Sequence, residues 1–167
     1  MLAIQITKRR DGGSALRCTR ADGSVTWQKQ VGPGAAFFPV HDLTHFAVEA
    51  TFGRRRGFFG LIADGWDIDD TTGKGRRGRL PDEALEVERM VGLFDRERAS
   101  GVAMSVEEFA EFAGRRLSEG QLQAVRSSGA ELLRQWRALP PGSAAGPAMA
   151  CPVMHPRGRA GSSQGTR

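Results

Sequence analysis

The chain has 167 residues, a length that suits one domain with a tail and a core needing no disulfide staple. Cys18 and Cys151 lie far apart, residues 1–10 carry no apolar leader, and no run approaches the ~20 apolar residues of a membrane span. A cytoplasmic protein with free thiols is expected. The net charge of +5 and pI near 10.2 permit a nucleic-acid partner, but only Lys8, Lys29 and Lys74 of the 24 basic residues are lysine. With 22 Gly and no Tyr, that is the arginine bias of a GC-rich genome, which raises pI without selecting a partner, so nucleic acid is not favoured.

Leu2, Ile4 and Ile6 alternate with Ala3, Gln5 and Thr7, the period of a half-buried strand. Asp11-Gly12-Gly13 and Asp22-Gly23 are turn signals bracketing a second strand over 15–20, and residues 25–30 alternate as a third. A three-stranded antiparallel meander follows, one face apolar and the other wet. Gly32-Pro33-Gly34 ends it. Pro39 then opens a helix over 40–52 that stops at Gly53, with Arg54, Arg55 and Arg56 at the negative end of its dipole.

Residues 57–63 are a short apolar run bounded by glycines, either a buried strand or a second helix. Asp64-Gly65-Trp66 marks a turn. Asp67, Asp69 and Asp70 lack the downstream Gly and Glu spacing of a calcium loop and read as solvated, ahead of a loop over 71–79. A helix over 81–98 carries the stripe Leu80, Ala84, Val87, Val91 and Phe94. Ser105-Val106-Glu107-Glu108 is a capping box for a short helix, and Ser118 opens the last one, which stops before Pro140-Pro141. From Pro140 the chain turns to Pro, Gly, Ala, Ser and Arg. The expected organisation is a single α+β domain over 1–139 and a disordered tail over 140–167. Cys151 and His155 in that tail are half a zinc knuckle with no second pair, and no metal is expected there.

The most specific chemistry is on the first helix. Two of three histidines, His41 and His45, stand four apart, and Glu49 follows four further on. At 3.6 residues per turn the three share one face, beside Val48 and Phe52. The other side carries Leu43, Phe46 and Ala50, so the helix is apolar on most of its circumference and buried. Each unpaired buried polar group costs about 1–3 kcal/mol. A divalent metal satisfies the row together. The competing account is a buried histidine pair hydrogen-bonded to Glu49, Thr44 and backbone in a structural or interaction domain. A sheet face presenting Arg17, Trp27 and Lys29 to nucleic acid is the variant of that account.

His41, Asp42 and His45 resemble the His-Glu-x-x-His helix of zincin-type metallopeptidases, with Asp42 where that family has its catalytic Glu. The resemblance covers five residues. It implies zinc or another divalent ion on His41 and His45, Asp42 as the base toward a metal-bound water, a third ligand from a later helix, and hydrolysis of a small-molecule or peptide substrate. Glu83 and Glu88 are the candidates for that ligand, with Asp64 behind them. Glu49 lies two turns, ~12 Å, from position 41, so it is either a ligand or the acceptor that orients His45. His41-Asp42 is also similar to the doublet of metal-dependent phosphohydrolases. That family needs an upstream His, and none precedes position 41.

Overall fold

The computed structural model describes residues 2–73, 75–144 and the backbone of 149–151. Three antiparallel strands come first: β1 (Leu2–Lys8), β2 (Ser14–Thr19) and β3 (Val25–Gln30). Five helices follow: α1 (Phe38–Phe52), α2 (Phe58–Ala63), α3 (Asp82–Ser100), α4 (Val106–Ala113) and α5 (Glu119–Ala138), with a 3₁₀ turn over Ile68–Thr72. The short apolar run at 57–63 is thus a helix. Ser105 and Ser118 both close full capping boxes, each hydroxyl accepting from the amide three residues on.

A fourth strand, β4 (Met149–Cys151), pairs with the outer edge of β1, so the sheet order is β3-β2-β1-β4. Before it, Lys8 N donates to the Ser143 carbonyl, Gly142 N donates to the Lys8 carbonyl, and Ala144 bridges Thr7. Residues 145–148 and 152–167 of the expected tail lie outside the described residues, as does the Cys151–His155 pair of side chains.

α1 is the middle layer. On one side the inner sheet face (Leu2, Ile4, Ile6, Leu16, Cys18) closes on Leu43, Phe59, Ile62 and Ile68. On the other, Ala47 and Val48 join Val87, Met90, Val91, Phe109 and Leu122 from α3, α4 and α5. Burial leaves Cys18 wholly enclosed and pushes its thiol up to about 12, so it stays protonated and unreactive.

β3 turns its apolar residues outward. Cys18 pairs with Thr26 and Ser14 with Gln30, and directly paired residues share a face, so Thr26 and Gln30 point inward while Val25 and Trp27 are exposed. The inward polar groups are used. Thr26 Oγ1 accepts from Ile68 N at 3.2 Å. Ser14 Oγ donates to Gln30 Oε1 at 2.5 Å, and Gln30 Nε2 donates to Asp42 Oδ2 at 2.6 Å. This buried chain ties the sheet to α1.

Candidate metal centre

α1 and α3 run antiparallel past each other, because His41 meets Asp95 while His45 meets Glu88. His41 and His45 are one turn apart on α1, and their rings lie edge to face with centroids 4.8 Å apart. Glu88 and Asp95 are two turns apart on one face of α3. One ligand atom from each of His41, His45 and Glu88 lies within 4.8 Å of the others. This is the one such cluster of three among the described residues.

Each imidazole has a carboxylate behind it. His41 Nδ1 lies 2.6 Å from Asp95 Oδ2, and the same carboxylate accepts from Thr44 Oγ1 and Arg98, each at 2.9 Å, on Oδ1. Burial raises the Asp95 pKa, but His41, Arg98 and Thr44 more than offset it, and the group stays ionised below the usual range. His45 Nδ1 faces Glu49 Oε1 at 3.4 Å, an ion-pair separation without hydrogen-bond alignment. Its Nε2 faces Glu88 Oε1, also at 3.4 Å. Burial pulls the His45 pKa down, yet the flanking Glu49 and Glu88 pull harder, and it stands at about 9. Glu88 is raised by burial and lowered further by His45, a net depression.

Glu49 is 2 % exposed, and its two oxygens accept from the amides of Phe59 at 3.2 Å and Gly60 at 3.1 Å. It therefore caps the N-terminal turn of α2 from a neighbouring helix, where the dipole favours an anion. It stands behind His45 and outside the His41–His45–Glu88 cluster. The structure does not bring Glu83 to the cluster: its Oε1 accepts from the amides of Arg55 and Arg56 just beyond α1. Asp64 is exposed at the end of α2. Asp42 is buried on the sheet side of α1 with Oδ2 held by Gln30. Burial raises its pKa to about 6 against the pull of Gln30 and both histidines.

Asp95, Thr44 and Arg98 complete the surroundings of His41, and Asp95 and Arg98 were not singled out from the sequence. The signal for Asp95 was present: it stands four residues after Val91 and seven after Glu88, an acid repeating on the apolar side of α3.

Two histidines and a glutamate are a donor set of catalytic zinc, with a fourth position left for water or substrate. Tetrahedral ligands at about 2.1 Å from an ion are about 3.4 Å apart, the separation of His45 Nε2 from Glu88 Oε1. The buried Nδ1 of His45, without a hydrogen bond, faces the acceptor that a metal-bound imidazole uses. The residues fit a divalent ion. Comparison with family models, with curated proteins and with solved structures finds no match for this chain.

Proposed function

We propose that the protein holds a zinc or similar divalent ion on His41 Nε2, His45 Nε2 and Glu88. Asp95 and Glu49 orient the two imidazoles through their Nδ1 atoms. The observation carrying this reading is that both histidines back onto a carboxylate while a third carboxylate converges on their front. Carboxylate–histidine pairs of this kind fix tautomer and ring orientation for a metal. Three protein ligands leave an open position, and an ion there supplies Lewis-acid polarisation of water or of a carbonyl. Metal-assisted hydrolysis of a small-molecule or peptide substrate is the reaction class we assign. A base role for Asp42 rests on Oδ1, the oxygen Gln30 leaves free.

Metal analysis of protein purified without a histidine tag tests the centre. Near-stoichiometric metal is expected in wild type, absent in His45→Ala and strongly reduced in Glu88→Gln. A wild type that carries no metal and gains no thermal stability from added zinc would sink the reading. It would leave His45 as a buried imidazolium clasped by Glu49 and Glu88.

A second reading has its own observation. Gln5, Arg17 and Trp27 form one cross-strand row on the outer sheet face, with Lys29 beside them, and Trp27 is 65 % exposed. No acid stands on that face among the described residues of its strands. An exposed indole flanked by cations suits a stacked base and its phosphates. Salt-sensitive binding of single-stranded oligonucleotides that Trp27→Ala abolishes supports an interaction domain. No binding at low salt excludes it.

A further inference from the structure

Between α1, α3 and α5 lies a cleft of about 320 Å³. Its walls are Leu43 and Ala47 from α1, Phe94 from α3, and Val125 and Leu133 from α5. Where α5 passes over it the chain is Gly129-Ala130, so no side chain fills the space. A Cβ built on Gly129 meets nothing within 4 Å. A gap of this kind between helices leaves its apolar lining without partner atoms on one side. The volume is at the low end for small-molecule sites and excludes a folded partner.

Two arginines reach the cleft, and they differ. Arg126 is committed to acids already in place: it holds Glu97 through two nitrogens, at 3.1 and 2.7 Å, donates to the Met104 carbonyl at 2.8 Å, and turns Nη1 to Glu119 at 3.5 Å. Glu97 in turn accepts from Met104 N, so its charge is neutralised and does not repel an anion. Among the described residues Arg98 makes one hydrogen bond, to Asp95 Oδ1, and its side chain is 35 % exposed. A guanidinium carries five N–H donors in a planar fork matched to a carboxylate. Asp95 holds that fork at the lining of the cleft through one of its five donors.

We propose that this cleft binds a small amphipathic carboxylate, its apolar body between α1, α3 and α5 and its headgroup on Arg98. The apolar walls recognise the chain, and the Arg98 guanidinium, with one of its five donors in use, recognises the charge. A neutral molecule of the same shape forfeits the second contribution. A rigid polar anion, such as inorganic phosphate, forfeits the first. The inference stands apart from the metal, since neither ion nor turnover enters the site. Asp95 accepts from Thr44 and Arg98, which line the cleft, so a headgroup that draws Arg98 away from Asp95 also alters the acceptor behind His41.

The test uses the full chain, stripped of metal by chelation, and isothermal titration with octanoate, 1-octanol and inorganic phosphate. Octanoate is expected to bind at one site, at least tenfold more tightly than 1-octanol, with no heat from phosphate. Arg98→Gln is expected to lower octanoate affinity to the level of 1-octanol. Gly129→Leu, which projects into open space on a helix, is expected to abolish binding of both while melting at or above the wild-type temperature. No octanoate binding by folded wild type, or binding unchanged by Gly129→Leu, overturns the cleft. Equal affinity for octanoate and 1-octanol, or no effect of Arg98→Gln, overturns the headgroup assignment. A metal-binding failure leaves all these outcomes intact, so the two readings fall separately.

Discussion

His45 is 2 % exposed and lies between two carboxylates, so burial and pairing pull its proton in opposite directions. Pairing wins, and its pKa stands at about 9, above the ordinary 6.5. In metal-free protein the group stabilises the fold fully below the ordinary value, and that contribution is lost as pH rises through about 9. A metal must displace this proton. Apparent affinity is therefore expected to rise about tenfold per pH unit through neutrality and to level off above the His45 pKa. A flat profile in zinc titrations would show that His45 is not displaced. Removing one orienting acceptor, as in Asp95→Asn, is expected to weaken zinc about 10–100-fold while keeping all three ligands. Asp42 shows the same sign at lower pH. Its raised pKa favours the neutral acid in the fold, a contribution present below about 4 and lost as pH rises through about 6. Asp42→Asn mimics the neutral acid and keeps an oxygen for Gln30. In metal-free protein at pH 8 it is expected to be more stable than wild type, by roughly 1–3 kcal/mol. Near pH 4 the two are expected to match in urea unfolding. A destabilised variant at pH 8 would show that the ionised Asp42–Gln30 bond outweighs desolvation.

At the scale of elements, the helix carrying both histidines was legible in the sequence because Pro39 and Gly53 punctuate it and the i, i+4 spacing is local. The partners on α3 depend on how two helices cross, a long-range fact that periodicity does not carry. Glu83 and Glu88 both flank the apolar stripe of α3, yet only Glu88 lies where α1 brings His45. α2 was ambiguous for another reason: six apolar residues are too few to separate a strand from a helix. What settles it is tertiary, the cap supplied by Glu49. Gly57 and Gly60 allow that cap. A Cβ at Gly57 would come within 2.5 Å of the Glu49 carboxyl carbon, and one at Gly60 would collide with the Arg55 carbonyl group. Gly92 on α3, by contrast, faces open space. Gly60→Ala is expected to destabilise by about 1–3 kcal/mol, and Gly92→Ala to stabilise by up to about 1 kcal/mol, in chemical denaturation. Equal effects at the two positions would show that helix propensity, and not close approach, decides both.

For the whole molecule, the order of a strand-period half followed by a helix-period half was enough to read an α+β domain. The alternation in β3 did not tell which face goes inward, because inward Thr26 and Gln30 answer to α1 and the 3₁₀ turn rather than to the sheet itself. Nor does local composition reveal what the chain does beyond Leu139. Lys8 Nζ donates to the carbonyls of Trp136 at 3.1 Å and Leu139 at 2.9 Å, completing the end of α5 and placing its exit beside β1. Gly142, Ser143, Ala144 and then Met149–Cys151 run along the same strand, giving its outer edge backbone partners. An unpaired edge strand invites association with other chains. Truncation after Leu139 is therefore expected to lower the melting temperature by several degrees, to raise the tendency to self-associate in light scattering, and to leave zinc binding at His41 and His45 in place. Truncation after Cys151 keeps every pairing of β1 among the described residues and is expected to melt with the full chain. Should the shorter form melt unchanged and stay monomeric, residues 140–151 add nothing to the domain, which then ends at position 139 as its composition alone implies.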